Sequence, residues 1–388
     1  MRILHVIRSV NPKGGGPIEG VTQLNHYFEQ HCECELDCHS EVLSLDSPDE
    51  DFVKSSSLKV HALGPSRLGG YGYSAKLKPW LLAHAHQYDA IIINGIWQYH
   101  SFGTWRALKQ LGKAYYVFTH GMLDPWFKKA YPLKHLKKWL YWPWSEYRVL
   151  CDAKAVLFTC EDEKVLAAQS FWLYKSTNGV VVNYGTKQPP TDKVRFREIF
   201  FAKYPTLADK RIFLFLSRIH EKKGCDLLIE AFSRVCKQDP SLHLVMAGPG
   251  AEPLITRLKT LADQLGIAEK ITWTGMVQGD DKWATYYASE VFVLPSHQEN
   301  FGIVVAESLA CGLPVLISNK VNIWREIEAD RAGLVAEDTV EGAEQLMTNW
   351  LKLDAQSQKE MAQQAQVTYQ QRFTIKAMAE SIVAVINK

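Results

Sequence analysis

The stretch VFVLPSHQENFGIVVAESLACGLPVLIS, residues 291–318, contains both hydrophobic patterns that decide the fold. Its two ends, VFVLPS (291–296) and PVLIS (314–318), are short apolar runs of the kind that form buried parallel strands. Between them, FGIVVAESLACG has the pattern of an amphipathic helix that ends at Gly312. A strand, a helix and a second strand in this order predict a βαβ unit.

The same alternation extends along the chain on both sides of a stretch at 185–198, whose prolines and charges are typical of a linker. The other apolar runs lie at 2–7, 90–94, 115–120, 155–159, 180–183, 212–217, 242–248 and 271–275. This pattern predicts an α/β protein with two doubly wound, Rossmann-like domains. We place them at 1–186 and 187–373, with a last helix, 374–388, that packs back on the first domain.

The bulk composition excludes several classes of protein. The chain has 388 residues and a net charge of +2, from 44 Lys and Arg against 42 Asp and Glu, so no general nucleic-acid-binding field is expected. No run of about 18 apolar residues exists, and the N-terminus lacks the pattern of a signal peptide. We therefore expect a cytoplasmic protein. The group Cys32, Cys34, Cys38 and His39 has no zinc-ligand spacing.

Two glutamates flank a glycine after the strand at 291–296. Glu299 is predicted to lie in the loop at the carboxyl end of that strand, where Gly302 lets the backbone approach a ligand. Glu307 falls further on, within an apolar helix in which a carboxylate needs a partner. Two interpretations stay open: the pair binds vicinal sugar hydroxyls, or Glu299 caps the helix and Glu307 forms a salt bridge.

A second group of polar residues lies in LSRIHEKKG, residues 216–224. Arg218 directly follows an apolar strand, and Lys223 precedes the glycine that opens the next helix. Two cations beside a helix N-terminus can hold a diphosphate. The alternative is a solvated basic loop, and we expect Lys222 to be solvated in either case.

The first domain offers a glycine loop and a histidine. In NPKGGGPIEG (11–20), Gly14–Gly16 follow the first strand, but Glu19 breaks GxGxxG and no GxxxxGK[ST] is present. Neither a dinucleotide oxidoreductase nor a P-loop ATPase is supported, and a mobile loop closing on phosphate and acceptor fits better. His120, at the end of the strand 115–120, either orients a sugar hydroxyl or is a core histidine bonded to the backbone.

Four segments together, SRIHEKKG, MAGPG, ITWTGMV and ENFGIVVAESLACGLPVLIS, resemble the retaining glycosyltransferases of family 4 (group 1). The resemblance is strong over 205–335 and weaker over the first domain. It implies the GT-B fold, in which two Rossmann-like domains face each other across a cleft. Within this family, the chain is similar to the enzymes that build bacterial cell-surface and extracellular polysaccharides.

The resemblance implies a role for each matched residue. Arg218 and Lys223 would hold the donor diphosphate, Glu299 would bind the transferred sugar, and Glu307 would hold the ribose hydroxyls. His120 would contact the sugar and complete the catalytic set with Arg218, Lys223 and Glu299. The other donor contacts would be Gly15, Gly16 and Gly248, the base-lining Met276 and Val277, and the loop residues Asn300, Phe301, Gly302 and Ile303.

The resemblance also implies that no metal ion and no cofactor is essential, because two fixed cations and a helix terminus can stabilise the leaving diphosphate. The one DxD triplet, Asp49–Asp51, lies in an acidic loop and not at a strand end. Two positions depart from the family pattern. Many relatives have Asn-Gly at the domain junction where this chain has NYG (183–185), and Gly is commoner at Asn300.

The segment 126–148 has the strongest local bias in the chain, with six Lys and Arg, one Glu and eight aromatic residues. Three interpretations stay open. The segment contacts an anionic membrane, it forms a helix whose aromatics fill the core while its lysines face water, or its cations bind a pyrophosphate-lipid head group.

These observations predict a retaining, metal-independent hexosyltransferase. We expect it to move glucose from a UDP-linked donor to a growing polysaccharide or lipid-linked oligosaccharide, at the inner face of the membrane if the segment 126–148 contacts lipid, and without a nucleic-acid partner. The alternatives are a UDP-sugar epimerase of the same fold and a non-catalytic nucleotide-sugar-binding protein.

Overall fold

The protein is described here from a computed structural model in which the chain divides into two compact units. The first unit comprises Met1–Gly185 and Ile375–Lys388, and the second comprises Thr186–Thr374. The described part of the chain consists of residues 1–31, 38–126, 128 and 132–388. The cysteine group of the sequence analysis falls partly outside these residues, because it includes Cys32 and Cys34.

The first unit is built on a seven-stranded parallel sheet with the order β3-β2-β1-β4-β5-β6-β7. Its strands are β1 Arg2–Ile7, β2 His39–Ser44, β3 Val60–Ala62, β4 Ala90–Asn94, β5 Tyr116–Phe118, β6 Ala155–Phe158 and β7 Gly179–Val181. Strand β1 pairs with both β2 and β4, so the strand order reverses between β1 and β4. Ligands of doubly wound sheets bind at such a reversal, outside the carboxyl ends of the strands.

The second unit is built on a six-stranded parallel sheet with the order β10-β9-β8-β11-β12-β13. Its strands are β8 Arg211–Leu216, β9 Leu242–Ala247, β10 Ile271–Gly275, β11 Val291–Leu294, β12 Val315–Ser318 and β13 Gly333–Ala336. Here the order reverses between β8 and β11, which pair directly. The central strands are almost fully buried, as expected for a parallel sheet covered on both faces.

Helices alternate with these strands in both units. In chain order they are α1 Gly16–His31, α2 Asp51–Lys54, α3 Leu77–His84, α4 Tyr99–Leu111, α5 Pro132–Tyr141, α6 Glu146–Cys151, α7 Glu161–Ser170, α8 Lys193–Lys203, α9 Cys225–Val235, α10 Glu252–Gln264, α11 Gly279–Ala288, α12 Ile303–Ala310, α13 Trp324–Ala329, α14 Val340–Lys352, α15 Ala355–Arg372 and α16 Ile375–Ile386. Among the described residues, none of these helices has the length and apolar character needed to cross a bilayer.

The last helix, α16, belongs to the first unit and packs against α1. Its Ser381 Oγ accepts a hydrogen bond from the backbone N–H of Asn183, at 3.1 Å. The Tyr116 hydroxyl at the start of β5 donates to the carbonyl of Ile386, at 3.3 Å. The C-terminal residues therefore complete the first unit.

The predicted class, two Rossmann-like α/β domains, is confirmed. The sequence interpretation missed the strands β2, β3 and β13. The interpretation of 185–198 as a linker is wrong in its second half, because helix α8 begins at Lys193. The Asp192 side chain caps this helix by accepting a hydrogen bond from the N–H of Arg195, at 3.1 Å.

Glu146, the first residue of α6, is a fully buried carboxylate of the first unit. Its Oε1 accepts hydrogen bonds from the backbone N–H of Trp97 and the hydroxyl of Ser101, both at 2.9 Å. Burial raises the pKa of Glu146 to about 7, although these hydrogen bonds and the positive charge of Lys138 favour the ionised form. The folded protein therefore binds this proton more tightly than the unfolded chain does.

We expect this group to make the folded protein less stable as the pH rises. Its stabilising contribution is complete below the unfolded pKa and is lost as the pH rises through the folded pKa near 7. Between pH 5 and pH 8, the free energy of unfolding should fall by about 2 kcal/mol more in the wild type than in Glu146→Gln. Urea denaturation across this range measures the difference, and equal slopes would contradict it.

Candidate functional site

The candidate residues of the second unit lie at the carboxyl edge of its sheet. Arg218 and Lys223 follow β8, and Glu299 follows β11. Because β8 and β11 are neighbours at the point where the strand order reverses, these residues meet at one edge. Gly248 and Met276 follow β9 and β10 at the same edge, where Met276 is exposed and Val277 is half-buried.

Lys223 and Glu299 form the centre of this group. Lys223 is 4% exposed, and its Nζ forms an ion pair with Oε2 of the half-buried Glu299. The main chain of Glu299 is fixed at both ends: its N–H donates to the carbonyl of Lys320 at 2.9 Å, and its carbonyl accepts from the N–H of Asn322 at 3.0 Å. The pair is therefore held at a defined place.

Burial lowers the pKa of Lys223 below its usual range, and the positive charges of Lys222 and Arg218 act in the same direction. Contact with the Glu299 carboxylate opposes this shift because it favours the ammonium form. An additional anion near Nζ would favour the charged form further. The site is therefore suited to a ligand that carries negative charge.

Gly302 precedes α12 in a conformation that requires glycine. Its φ is +76°, and a Cβ there would lie 3.1 Å from Cγ of Glu299 and 3.2 Å from Cγ2 of Val305. The Glu299 side chain therefore passes directly over the Gly302 backbone. Phe301 anchors the loop in an edge-to-face contact with Phe373, at 5.5 Å between ring centroids.

The first turn of α12 presents backbone N–H groups at this edge. The N–H groups of Val305 and Ala306 are bonded to the Gly302 carbonyl. Those of Ile303 and Val304 come before the point at which intrahelical partners are available. Ile303 and Asn300 are only partly buried. Such a terminus favours hydroxyl or phosphate oxygens.

Glu307 is buried in α12 and has two partners on α11. Its Oε1 is 2.6 Å from Nζ of Lys282, and its Oε2 accepts a hydrogen bond of 3.1 Å from the hydroxyl of Tyr286. The interpretation of Glu307 as a salt-bridged residue thus describes its contacts, and its role toward ribose stays a prediction. Sequence reasoning missed Lys282 and Tyr286, which lie four residues apart and so share one face of α11.

The Arg218 loop rests on the turn that follows β9. Gly248 has φ +135°, and a Cβ there would overlap the carbonyl oxygen of Ser217. The N–H of Ile219 donates to the carbonyl of Pro249, at 2.8 Å. These contacts fix the backbone on both sides of Arg218 and leave the residue itself exposed.

The expectation that Lys222 is solvated is wrong. Lys222 is half-buried, and its Nζ donates to Oε1 of Gln298 at 3.1 Å. Its carbonyl accepts a hydrogen bond from the N–H of His297, at 2.9 Å. Lys222 therefore links the loop after β8 to the loop after β11 and helps to hold Lys223 near Glu299.

In the first unit, His120 follows β5 at φ +49°, and its ring stacks on Phe118 with centroids 4.4 Å apart. Its Nε2 is 3.2 Å from Oδ1 of Asn94, at the end of β4, so it is bonded to a side chain rather than to the backbone. Burial lowers the pKa of His120 to about 3, and His5 acts in the same direction. His120 is therefore a neutral imidazole near pH 7.

Tyr184 links the glycine loop to His120. Its hydroxyl donates to the carbonyl of Gly16 at 2.9 Å, and its ring meets the His120 ring edge-to-face at 6.2 Å. The inserted residue of the NYG sequence is therefore a buried packing residue. Gly15 has φ +80°, and a Cβ at Gly15 or Gly16 would have no heavy atom within 4 Å, so the loop backbone is accessible.

Glu163, which the sequence analysis missed, positions the loop that carries His120. It is buried in the first turn of α7. Oε1 accepts from the hydroxyl of Thr119 at 2.8 Å and from the N–H of Gly121 at 2.7 Å. Oε2 accepts from the N–H and the hydroxyl of Thr159, both at 2.7 Å. One carboxylate thereby holds the residues on both sides of His120.

We expect Glu163→Gln to reduce the free energy of unfolding by about 3 kcal/mol, because an amide nitrogen cannot accept hydrogen bonds and leaves buried donors unpaired. Glu161→Gln, a change of an exposed carboxylate in the same turn, is the matched control and should cost less than about 0.5 kcal/mol. Urea denaturation measures both, and the imidazole NMR resonances of His120 should shift only in Glu163→Gln. Equal effects of the two changes would contradict the role of Glu163.

Two all-parallel, doubly wound sheets with polar groups at the carboxyl edge of the strands agree with the GT-B class that the sequence predicts. The family model "Glycosyl transferases group 1" matches residues 196–368, and the model "Glycosyl transferase 4-like domain" matches residues 32–185, so the two together match most of the chain. The chain therefore belongs to the group 1 glycosyltransferases.

Matches to individual relatives cover only part of this chain and part of each relative. Mannosylfructose-phosphate synthase of Agrobacterium fabrum is 32% identical over 133 residues, which are 33% of this chain and 29% of that protein. D-inositol 3-phosphate glycosyltransferase of Mycolicibacterium gilvum is 38% identical over 109 residues, which are 27% of this chain and 24% of that protein. The matched stretch therefore spans less than a third of the length of these two relatives.

Solved structures match over the whole chain. HepE of Anabaena, in complex with UDP and glucose, has a TM-score of 0.76 at 18% identity, covering 100% of this chain and 99% of that chain. Sucrose-phosphate synthase of Thermosynechococcus elongatus has a TM-score of 0.76 at 19% identity, covering 100% and 98%. At these identities the likeness establishes the shared fold.

Proposed function

We propose that this protein is a retaining glycosyltransferase that transfers glucose from UDP-glucose to a growing polysaccharide or a lipid-linked oligosaccharide. The observation that carries the proposal is the buried ion pair of Lys223 and Glu299 beside Gly302, at the edge where β8 and β11 end. Family membership supports transfer from a nucleotide sugar. HepE, a structural neighbour solved with UDP and glucose, supports the choice of base and sugar.

The reaction requires the bond between the anomeric carbon and the phosphate oxygen to break, which leaves negative charge on the diphosphate. The Arg218 guanidinium, the Lys223 ammonium and the first-turn N–H groups of α12 stabilise that charge. Lys223 and the backbone on both sides of Arg218 are fixed before the reaction begins, by the contact with Glu299 and by the packing on Gly248. With these charges in place, we propose that no essential metal ion takes part.

The same groups account for retention of configuration. The acceptor hydroxyl approaches the anomeric carbon from the face that the diphosphate leaves, and its proton passes to the leaving phosphate oxygen. The new bond from carbon to oxygen then replaces the broken one on the same face. No side chain has to act as a strong base, which agrees with the lowered pKa of His120, because a low pKa makes its imidazole a weak base.

The remaining residues bind the substrates. Glu299 binds hydroxyls of the transferred sugar through the carboxylate oxygen that does not face Lys223. Glu307 binds the ribose hydroxyls by exchanging them for Lys282. Met276 and Val277 line the base, and Gly15 and Gly16 approach the phosphates. We place this activity in the cytoplasm, where a lipid-linked acceptor is met at the inner face of the membrane through the segment 126–148.

The proposal is tested by calorimetric binding of UDP, GDP and ADP, each with EDTA and with magnesium. UDP should bind in EDTA, and Arg218→Ala should weaken its binding by at least about tenfold. Arg234→Ala, which removes an exposed arginine on α9 that pairs with Glu344, is the matched control and should leave binding unchanged. A folded wild type that binds none of the three nucleotides would overturn the proposal.

Product analysis with UDP-glucose separates the alternatives. Without an acceptor, a transferase hydrolyses the donor slowly, an epimerase releases a new UDP-sugar, and a binding protein changes nothing. With an acceptor oligosaccharide, proton NMR of the product should show an α-linked sugar, the configuration of the donor. A β-linked product would exclude the retaining mechanism.

A further inference from the structure

Helix α5 presents an apolar stripe to solvent. Leu133, Leu136 and Leu140 are spaced three and four residues apart, so they share one face of the helix, and Trp144 lies just beyond the helix end. They are 79%, 55%, 61% and 73% exposed, respectively. A helix of a globular protein normally turns such a stripe toward the core. An exposed run of large apolar side chains marks an interaction surface.

The inner face of α5 is packed, so this orientation is fixed. The Nζ of Lys138 lies 4.6 Å from the centroid of the Trp97 ring, and His135 stacks on Phe171 with centroids 4.8 Å apart. Trp142, one turn beyond Lys138, is fully buried, and its Nε1–H donates to the carbonyl of Trp172 at 2.9 Å. Rotation of the helix to bury its leucines would break all of these contacts.

A second element extends the exposed stripe. Trp172 and Leu173, which follow α7, are both exposed, and the Trp172 ring lies 5.9 Å from that of the exposed Trp139. Because the Trp172 carbonyl is bonded to the indole of Trp142, this turn is tied to the end of α5. We call the stripe of α5, the pair Trp139–Trp172 and Leu173 together the α5 surface.

The two segments that form the α5 surface carry only positive charges, although Asp124 lies beside Lys134 and Lys138 in the cavity next to α5. Residues 132–145 contain Lys134, Lys137 and Lys138 and no Asp or Glu, and residues 171–178 contain Lys175 and no Asp or Glu. Lys137 follows Leu136 directly and is exposed. The chain as a whole has a net charge of only +2, so this bias is local. The partner of the α5 surface is expected to be anionic.

We infer that the α5 surface binds an anionic lipid bilayer, with its tryptophans and leucines in the interface and its lysines against the phosphate groups. Trp and Leu on one face with Lys beside them is the composition of helices that lie in a bilayer surface. Interfaces with other proteins are depleted of lysine, whereas here lysines alternate with the apolar residues. Each lysine near an anionic leaflet adds to the attraction.

The α5 surface differs from the segment 126–148 proposed above as the membrane contact. It leaves out the buried residues of that segment and includes residues outside it. Trp142 and Glu146 are fully buried and cannot reach lipid, whereas Trp172 and Leu173 lie outside the segment and take part. Lipid binding does not require the proposed sugar transfer, since the α5 surface shares no residue with the candidate donor site. Failure of one proposal can therefore be told from failure of the other.

The test is co-sedimentation of the full-length protein with vesicles of phosphatidylcholine alone and of phosphatidylcholine mixed equally with phosphatidylglycerol. The wild type should bind the anionic vesicles and not the neutral ones, and high salt should weaken binding. The triple variant Leu136→Gln, Leu140→Gln, Trp144→Gln should bind at least about tenfold more weakly. All three side chains are exposed, so the fold does not depend on burying them.

Two further variants sharpen the result. Lys134→Glu with Lys137→Glu should also abolish binding to anionic vesicles, because it reverses the local charge. Leu68→Gln, which changes a leucine of the first unit that is equally exposed, is the matched control and should bind as the wild type does. UDP binding by calorimetry should be the same in all of these variants.

Three outcomes would overturn the inference. The wild type could fail to bind the anionic vesicles, the triple variant could bind them as well as the wild type, or sedimentation equilibrium could show that the wild type is a dimer that the triple variant turns into monomers. The last outcome would assign the α5 surface to a second copy of the chain.

Discussion

Replacing Lys223 with methionine should lower kcat/KM for sugar transfer by about 10²- to 10³-fold, the loss observed when a fixed group that stabilises developing charge is removed. The Lys223 ammonium is almost fully buried and in contact with Glu299, so water cannot replace it at the same place. Methionine keeps most of the side-chain volume and removes the charge. Steady-state kinetics with UDP-glucose measure the loss.

Lys222→Met is the matched control for charge. Lys222 carries the same charge one residue earlier, but its Nζ is bonded to Gln298 and its side chain is only half-buried. We expect a loss of less than about tenfold, in keeping with a linking role rather than a contact with the reacting group. Equal losses in the two variants would show that general positive charge, and not the position of Lys223, determines the rate.

The pH dependence gives an independent measurement of the same residue. Burial lowers the pKa of Lys223, so its charge is lost at lower pH than that of an exposed lysine. The rate of the wild type should therefore fall on the alkaline side well before pH 10, because deprotonation removes the cation that the leaving diphosphate needs. Lys223→Met should lack this alkaline fall in kcat/KM. A wild-type rate that stays constant to pH 10 would contradict the assignment.

The sequence predicted the continuous apolar strands of both sheets, including the edge strands β7 and β10, and missed β2, β3 and β13. Strands such as β4 and β11 are continuous apolar runs, which a buried parallel strand requires. Strand β2 has the sequence HSEVLS, and its Glu41 argues locally against burial. Glu41 is tolerated because Arg2 and Lys59 pair with it at 3.0 and 2.9 Å. Those partners are distant in sequence, so no local pattern could indicate them.

The candidate site was also predicted only in part. The residues at strand ends were predicted, and the side chains that hold them were not. The rule that ligands meet the carboxyl ends of parallel strands brings Lys223 and Glu299 to one edge once their strands are known. It says nothing of Lys282, which reaches Glu307 from the preceding helix, or of Glu163, which holds the loop of His120 and lies 42 residues beyond Gly121. Side-chain partners of this kind depend on tertiary packing.

Gly248→Ala should lower the free energy of unfolding by at least about 3 kcal/mol, a value reached only when a special backbone conformation and a steric overlap combine. The φ of Gly248 is +135°, outside the region that alanine adopts readily. Its Cβ would overlap the carbonyl oxygen of Ser217 and lie 2.8 Å from the carbonyl carbon. Both atoms belong to the backbone, so no side-chain rotation relieves the contact. Urea denaturation of the variant measures the loss.

Gly275→Ala separates backbone strain from overlap. Gly275 ends the neighbouring strand β10 at φ +68°, but a Cβ there would have no heavy atom within 4 Å, so we expect a cost of about 1–2 kcal/mol.

The two glycines should also differ in their effect on UDP binding. In Gly248→Ala the new Cβ would overlap the carbonyl oxygen of Ser217, the residue directly before Arg218, so the strand end must move and carry the Arg218 guanidinium with it. Folded Gly248→Ala should therefore bind UDP more weakly than Gly275→Ala, by at least about tenfold. If calorimetry gives the two variants equal affinity, the packing of Gly248 on Ser217 supports the fold alone, and the position of Arg218 is set elsewhere.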